Sequence, residues 1–265
     1  MKTSLCPRRL SAAGILALAL SFTGCQSVPV TGRQQLILIP SSQEMQLGLS
    51  SFEALKKETP ISKNAAATAL VEKVGRRIAA VANLPGAQWE FVLFESEEAN
   101  AFCLPGGKVG IYTGILPITK DEAGLATVMG HEVAHAVARH GAERMSESQL
   151  ISVGGQLLGA GIQSYDPKMQ ALLLGAYGVG TKVGRELPHS RGQESEADHI
   201  GLIYMARAGY DPAASVAFWQ RFQAFNQSHG GGSTPWFLRT HPLDETRIRQ
   251  LQNWLPEARA QYRPQ

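Results

Sequence analysis

The chain has few cysteines, little net charge and no long apolar run, and each scarcity excludes a class of protein. Three cysteines in 265 residues cannot form the disulfide framework of a small secreted scaffold. The apolar run from Leu10 to Leu20 is too short to cross a bilayer comfortably. A disulfide-rich scaffold and a multispanning membrane protein are therefore both excluded.

The first 24 residues have the composition of a signal peptide. Lys2, Arg8 and Arg9 precede the apolar run. The following Phe22-Thr23-Gly24-Cys25 resembles a bacterial lipobox, with phenylalanine where leucine is commoner. We expect cleavage before Cys25 and lipidation of its thiol, with an ordinary secretory signal as the alternative. Several acyl chains would anchor the chain stably, and Gln26 is typical of sorting to the outer membrane of a Gram-negative host.

Removal of this leader changes both the charge and the cysteine count. The formal charge of +3 falls to 0, because the leader carries three basic residues and no acidic one. No electrostatic case for nucleic-acid binding remains. Cys103 is then the last free cysteine, and we expect it to be a packed strand residue rather than a catalytic thiol.

The His-Glu-Val-Ala-His pentapeptide at 131–135 is the most specific signal in the chain. Helical residues four apart lie about 40° apart around the axis, so His131 and His135 face one side. Two ring nitrogens on one side can bind a zinc ion. Glu132 is placed to take a proton from a water molecule, as in metalloproteases.

A third metal ligand must come from elsewhere. His140 would face away from the metal if the helix continued, since it lies about 180° from His131. Glu194 and Asp198 are better candidates, because their spacing puts two carboxylates on one helical face. One can bind zinc while the other accepts the free N–H of a ligand histidine. Glu196 should point elsewhere, towards solvent.

Together these motifs resemble the HtpX and CAAX-prenyl-endopeptidase family of zinc metallopeptidases, in particular its bacterial periplasmic lipoprotein branch of the BepA and LoiP type. Three more segments are similar to that family: Asn100 to Gly107, Thr240-His241-Pro242 with Arg247, and Val30 to Arg33 with Leu36 to Leu38. The resemblance covers nearly all of the chain after residue 24. Cys103 stands where alanine is more usual, which leaves the ligand set intact.

The resemblance implies an α+β, zincin-like (gluzincin) domain. It would be mostly helical, with a small sheet whose edge strand borders the active-site cleft. One zinc ion per chain would be held by His131, His135 and Glu194, with Asp198 behind a ligand histidine.

Two C-terminal residues also acquire roles from the resemblance. It implies that His241 faces the zinc, as a reversible extra ligand or as a donor to the tetrahedral intermediate. Arg247 would be a neighbour that orients groups or stabilises developing negative charge.

The remaining sequence predicts a single domain over residues 41–265, preceded by a tether over 25–40 that becomes ordered near Leu36 to Ile39. Residues 41–84 are expected to be helical, and Thr119 to Glu122 is typical of a capping box before the metal helix. Trp89 to Phe94 should pair with Lys108 to Thr113 across a Pro-Gly-Gly turn. Peptide substrates would bind along this second strand by β-augmentation. The expected substrate-binding residues are Asn100, Lys108, Val109, Gly110 and Ile111.

Residues 150–184 are apolar and carry eight glycines. Tyr165-Asp166-Pro167 divides them into halves that are too short to cross a membrane. They predict a helical hairpin, either simply packed on the domain or acting as a mobile cover over the cleft.

The predicted function is zinc-dependent endoproteolysis of misfolded or unassembled envelope proteins. The chain would be lipid-anchored, on the periplasmic face of the outer membrane. The alternative is an autoinhibited or chaperone-like outer-membrane assembly factor that retains the zinc site, with the assembly machinery as a partner.

Overall fold

The computed structural model describes residues 25–229, 237, 241 and 245–264. The predicted leader, Thr240 and Pro242 lie outside the described residues. Helices dominate, and the strands form two small β-sheets. The strands are β1 (Cys25–Ser27), β2 (Gln34–Leu36), β3 (Glu90–Phe94), β4 (Ala101–Leu104) and β5 (Lys108–Tyr112). The helices are α1 (Ser41–Glu58), α2 (Ala65–Ala79), α3 (Leu116–Thr119), α4 (Glu122–Val137), α5 (His140–Gly161), α6 (Pro167–Thr181), α7 (Leu187–Arg207), α8 (Ala213–His229) and α9 (Glu245–Ala260).

The first described segment packs against the domain. β1 and β2 form an antiparallel pair with Cys25 opposite Leu36. Three apolar side chains of the segment are buried: Val28, Ile37 and Ile39. The ordering expected near Leu36 to Ile39 thus extends back to Cys25, because burial of these apolar side chains stabilises the segment on the domain.

Residues 41–84 form two helices rather than one. α1 and α2 are separated by residues 59–64, where the backbone N–H of Ser62 donates to the carbonyl of Leu93 at 2.8 Å. Asn64 begins α2, since its side chain accepts a hydrogen bond from the N–H of Ala67. The break thus ties the helical pair to the edge of the sheet.

The larger sheet has the strand order β3–β5–β4. β3 runs parallel to β5, whereas β4 and β5 are antiparallel. The turn at Pro105 to Gly107 joins β4 to β5, and Gly106 and Gly107 both have positive φ angles, which glycine adopts without steric cost. The segments Trp89–Phe94 and Lys108–Thr113 do pair, as predicted. The prediction that the Pro-Gly-Gly turn connects them is wrong, because β4 lies between them in the chain. β5 is central, and β4 is an edge strand among the described residues.

Helix α4, which carries the pentapeptide at 131–135, is buried throughout its length after the first turn. Every residue from Gly124 to Val137 is buried, as its small apolar composition predicts. Its N-cap is Asp121, whose side chain accepts a hydrogen bond from the Gly124 N–H at 2.8 Å. Thr119 instead bonds to the carbonyl of Leu116 within α3, so the predicted capping box is wrong.

Helices α4 and α7 cross at a pair of glycines. A Cβ atom at Gly201 would lie 2.8 Å from both the carbonyl carbon of Gly130 and the backbone nitrogen of His131. No side chain fits in that space. This backbone contact brings the carboxylates of α7 beside the histidines of α4.

Helices α5 and α6 form the predicted hairpin, with residues 162–166 between them. Asp166 caps α6 by accepting hydrogen bonds from the N–H groups of Lys168 and Met169. Within α6, all of which is described, no residue is buried. Among the helices described here, none is both long and apolar enough to cross a membrane.

Candidate metal centre

The two histidines of the pentapeptide meet on one face of α4. The Nε2 atoms of His131 and His135 are 3.1 Å apart, and the side chains are 2% and 7% exposed. The four-residue spacing alone accounts for this arrangement.

Glu194 on α7 completes a second side of the group. Its Oε2 atom lies 3.3 Å from His131 Nε2, and its Oε1 atom lies 3.4 Å from His135 Nε2. Although burial favours the neutral acid, the surrounding histidines hold the pKa of Glu194 well below its usual range. Glu194 is therefore an ionised carboxylate that faces two ring nitrogens.

His241 is the fourth member of the group. Its Nδ1 atom lies 2.9 Å from Glu194 Oε2 and 3.2 Å from His131 Nε2. Its Nε2 atom lies 3.4 Å from Glu132 Oε1. His241 thus lies between the other donors and the residue expected to act as the base.

The group fits a metal ion. One potential ligand atom from each of His131, His135, Glu194 and His241 lies within 4.8 Å of the other three. Glu194 Oε1 is buried and has no hydrogen-bond partner among the described residues. The nitrogen–nitrogen separations of 3.1 and 3.2 Å are close to the edge of about 3.3 Å for a tetrahedron with metal–nitrogen bonds of about 2.0–2.1 Å.

Glu132 lies at the floor of a cleft beside this group. Burial raises the pKa of its carboxyl group, an effect opposed by the neighbouring histidines. Its Oε1 atom has no hydrogen-bond partner among the described residues. A carboxylate with a raised pKa and a free oxygen is suited to accept and return a proton.

Asp198 and Arg247 lie behind His131. Asp198 Oδ1 is 3.0 Å from His131 Nδ1. Arg247 donates to both carboxylate oxygens of Asp198, at 2.7 and 2.8 Å, and its guanidinium carbon lies 4.0 Å from the ring centroid of Trp219. Among the described residues, the cleft lining does not include Arg247. Arg247 Nη1 also lies 3.6 Å from Glu194 Oε2, so Arg247 contacts both Asp198 and Glu194, and its role stays a prediction.

Two residues lie where sequence reasoning did not expect them. α4 ends at Val137, and Arg139 adopts a left-handed conformation with φ of 56°, so that His140 starts a new helix and turns back. His140 Nδ1 lies 2.8 Å from His135 Nδ1. Glu196, expected in solvent, is 8% exposed and lies 3.0 Å from His140 Nε2. The expectation for His140 assumed that α4 continued past Val137. The expectation for Glu196 ignored the residues that pack against α7.

The cleft has a volume of about 390 Å³. One wall is formed by residues 100–105, which comprise Asn100, all of β4 and Pro105. Gly141 and Arg144 of α5 line it from another side, with Glu132, His135 and His241 at the metal group. Burial and the nearby Glu132 carboxylate raise the pKa of the Cys103 thiol in this wall, so that it is neutral and poorly nucleophilic.

Four of the five predicted substrate-binding residues lie on a strand that has no free edge for a peptide. Lys108, Val109, Gly110 and Ile111 belong to β5, which pairs with β3 on one side and β4 on the other. The ammonium group of Lys108 donates to Gln88 and Glu90. β5 has no free backbone edge for a peptide. Asn100 does line the cleft.

The fold and this site define a metal-dependent peptidase. Residues 65–255 match the model of Peptidase family M48, and the chain belongs to that family. The prediction that it is a metalloendopeptidase is confirmed.

The named relatives come from mitochondria and from bacteria. The "Mitochondrial metalloendopeptidase OMA1" of Schizosaccharomyces pombe is 35% identical over 240 residues, which cover 89% of this chain and 68% of the relative. The "Metalloendopeptidase OMA1, mitochondrial" of Homo sapiens is 32% identical over 259 residues, covering 94% and 49%. The "Beta-barrel assembly-enhancing protease" of Escherichia coli is 28% identical over 260 residues, covering 96% and 52%. The chain thus spans only about half the length of the last two relatives.

Proposed function

We propose that this chain is a zinc endopeptidase anchored to the bacterial envelope, where it hydrolyses misfolded or unassembled envelope proteins. The observation that carries the proposal is the position of Glu132. Its Oε1 atom accepts no hydrogen bond from the described residues and lies 3.4 Å from His241 Nε2, at the boundary between the four-donor group and the cleft.

His131, His135 and Glu194 would hold the zinc ion. When bound, zinc supplies a Lewis acid that lowers the pKa of water and polarises a peptide carbonyl group. Glu132 accepts the proton of the attacking water and delivers it to the leaving amine. Asp198, fixed by Arg247, keeps the His131 ring oriented.

The substrate would bind as an extended segment along β4. The edge of β4 borders the cleft, and its backbone groups can pair with a peptide by β-augmentation. Backbone pairing reads little side-chain identity. Any polypeptide that is unfolded over several residues would be acceptable, which suits misfolded and unassembled clients.

The alternative function is an autoinhibited or chaperone-like assembly factor. Four protein donors are typical of closed structural zinc sites, whereas catalytic sites keep one position open. With His241 among the donors, the resting site would be closed, and catalysis would require His241 to move away. The name of the Escherichia coli relative favours partners in outer-membrane assembly for either function.

The anchor would hold the domain directly at the membrane. Cys25 lies in β1, paired with the folded domain through Leu36, so no long linker would separate acyl chains on Cys25 from the catalytic unit. Clients would then be cleaved close to the lipid surface. A Cys25→Ser variant that carries an ordinary secretory leader in place of residues 1–24 should appear in the soluble periplasmic fraction with unchanged zinc content; continued membrane association of that variant would contradict anchoring through this residue.

The first test is cleavage of an unfolded protein by the chain from residue 26 onwards, loaded with zinc, beside its Glu132→Gln variant. We expect cleavage by the wild type alone, with one zinc ion in each protein. Retained cleavage by Glu132→Gln would refute the role of this base. Zinc bound to both proteins without cleavage by either would favour the autoinhibited or chaperone-like function.

The ligand set is tested separately. Glu194→Ala should bind zinc more weakly than the wild type in competition with a chelating dye, whereas unchanged affinity would exclude Glu194 as a ligand. His241→Ala should retain zinc through the other three donors. If His241 closes the resting site, that variant should cleave faster than the wild type.

A further inference from the structure

We propose that His140, Glu196 and Arg33 form a positioning relay that fixes the ring orientation and tautomer of His135. This inference rests on the proposed zinc site. It assigns a role to the N-terminal segment that contains Arg33.

The relay begins with the turn after α4. Because Arg139 is in the left-handed conformation, His140 lies beside His135 and not one and a half turns further along the same helix. The two Nδ1 atoms are 2.8 Å apart and the ring planes are at 73°. His140 is 0% exposed, so water cannot substitute for this contact.

With a neutral His140 ring, the hydrogen-bond partners allow one arrangement of protons. The ionised carboxylate of Glu196 can only accept, so His140 Nε2, 3.0 Å away, carries the hydrogen. His140 Nδ1 is then an acceptor and His135 Nδ1 is the donor. His135 Nε2 is left with its lone pair directed at Glu194 and His131, as metal binding requires.

Arg33 holds Glu196 in place. Its Nε atom donates to Glu196 Oε2 at 2.8 Å, and its two terminal nitrogens donate to the carboxylate of Glu143 at 2.7 and 2.8 Å. The hydroxyl of Thr31 also donates to Glu196. Bidentate and charge-assisted contacts of this kind restrict rotation of both carboxylates.

The two histidines of α4 therefore have comparable support. Asp198 and Arg247 stand behind His131, while Glu196 and Arg33 stand behind His135 through one intervening ring. Each set consists of a carboxylate and an arginine. It acts on Nδ1 of a ligand histidine, the ring nitrogen that faces away from the metal site. Loss of such support typically costs about 10–100-fold in metal affinity or activity.

A purely structural role is the competing explanation. Arg33 could serve only to fasten the β1–β2 segment to the domain, since it bridges two helices. That role predicts lower stability of the metal-free protein with unchanged zinc affinity. The relay predicts a change in zinc affinity itself.

The test compares His140→Phe with His140→Gln. Phenylalanine fills the site but forms neither hydrogen bond, whereas glutamine can accept from His135 and donate to Glu196. We expect His140→Phe to weaken zinc binding by about 10–100-fold in competition with a chelating dye, and His140→Gln to recover most of that loss. Equal zinc affinity of His140→Phe and wild type would overturn the relay.

Arg33→Ala provides a second variant that should fold, because the Arg33 side chain is 32% exposed. We expect several-fold weaker zinc binding and an altered absorption spectrum of the cobalt-substituted protein. The matched control is Arg185→Ala, which removes an ion pair with Glu147 that does not touch a ligand histidine. A lowered melting temperature for Arg33→Ala with unchanged zinc affinity and cobalt spectrum would establish the structural role instead.

The tautomers can also be read without metal or turnover. Two-bond proton–nitrogen correlation spectra of the metal-free protein should show hydrogen on His135 Nδ1 and on His140 Nε2. Hydrogen on His140 Nδ1 would overturn the relay. Because these measurements and zinc affinity do not depend on cleavage, a protein that binds zinc but lacks peptidase activity would refute the proposed function without deciding the relay.

Discussion

Two pairs of packed helices in this protein, α4 with α7 and α5 with α6, expose and bury opposite kinds of side chain. At the crossing of α4 and α7, the side chains of His131, Glu194 and Asp198 are all at most 3% exposed. In the α5–α6 hairpin, Leu157, Leu172 and Val179 are each more than 60% exposed. Stability alone would favour the reverse arrangement, since burying charge costs free energy and burying leucine gains it.

Both arrangements lower the stability of the fold, and each is explained by a different feature. The buried charges are tolerable because each faces a partner, and the group as a whole can accept a cation. The exposed apolar residues have no such compensation within the hairpin. Their exposure fits the hypothesis that the hairpin is a mobile cover, because α5 carries Gly141 and Arg144 of the cleft wall at its base.

Of the changes predicted here, removal of the metal should lower the stability of the folded protein most. Zinc at about a thousandfold excess over its Kd stabilises a folded protein by about 4 kcal/mol. This corresponds to a rise of about 10 °C in Tm for a domain of this size. We expect calorimetry to show that loss on chelation. A Tm indifferent to chelator and zinc would contradict the metal centre.

Two leucine substitutions compare the regions directly. Leu125→Ala in α4 and Leu157→Ala in α5 delete the same atoms, but the side chains are 0% and 69% exposed. We expect a loss of about 3 kcal/mol in the free energy of unfolding for Leu125→Ala. The loss for Leu157→Ala should be less than about 0.5 kcal/mol. A large loss at Leu157, measured by urea denaturation, would mean that the hairpin packs against something in solution.

The glycine contact between α4 and α7 gives a smaller effect with a matched control. Gly201→Ala forces the helices apart and should destabilise the protein by about 1–3 kcal/mol. It should also weaken zinc binding, because Glu194 moves with α7. Gly192 in the same helix has open space around it, so Gly192→Ala should be neutral or stabilise by up to about 1 kcal/mol. Equal effects of the two substitutions would show that the crossing tolerates a wider separation.

The smallest difference is expected in backbone exchange. Glycine within a helix costs about 0.5–1 kcal/mol relative to alanine, and α6 has no buried residue, so the hairpin should open more readily than α4. Hydrogen exchange followed by mass spectrometry should show rapid exchange of residues 150–184. Protection equal to that of α4 would rule out the mobile cover and leave a packed hairpin.

The local pattern predicted much of the site but not its surroundings. The four-residue spacings of His131 with His135 and of Glu194 with Asp198 are set by helix geometry, so they could be read from the sequence. The roles of His140 and Glu196 could not be read in this way. His140 depends on the left-handed Arg139, and Glu196 depends on Arg33, which lies 163 residues away in the chain.

Strand direction was similarly beyond local inference. Alternating residues identify Glu90–Phe94 and Lys108–Tyr112 as strands. They pair in parallel because the chain forms β4 between them in sequence and then turns back, so that β5 lies between β3 and β4 in the sheet. That choice moves the free sheet edge from β5 to β4, and with it the proposed peptide-binding surface.

The sequence by itself determined the chemistry of this protein: two histidines, a base and a distant carboxylate at spacings that only a helix brings into register. Tertiary structure decided which groups support them and which strand faces the cleft. The physical reason is that helical spacing acts over a few residues. Hydrogen bonds such as Arg33 to Glu196, and contacts such as Gly130 with Gly201, depend on how distant segments pack.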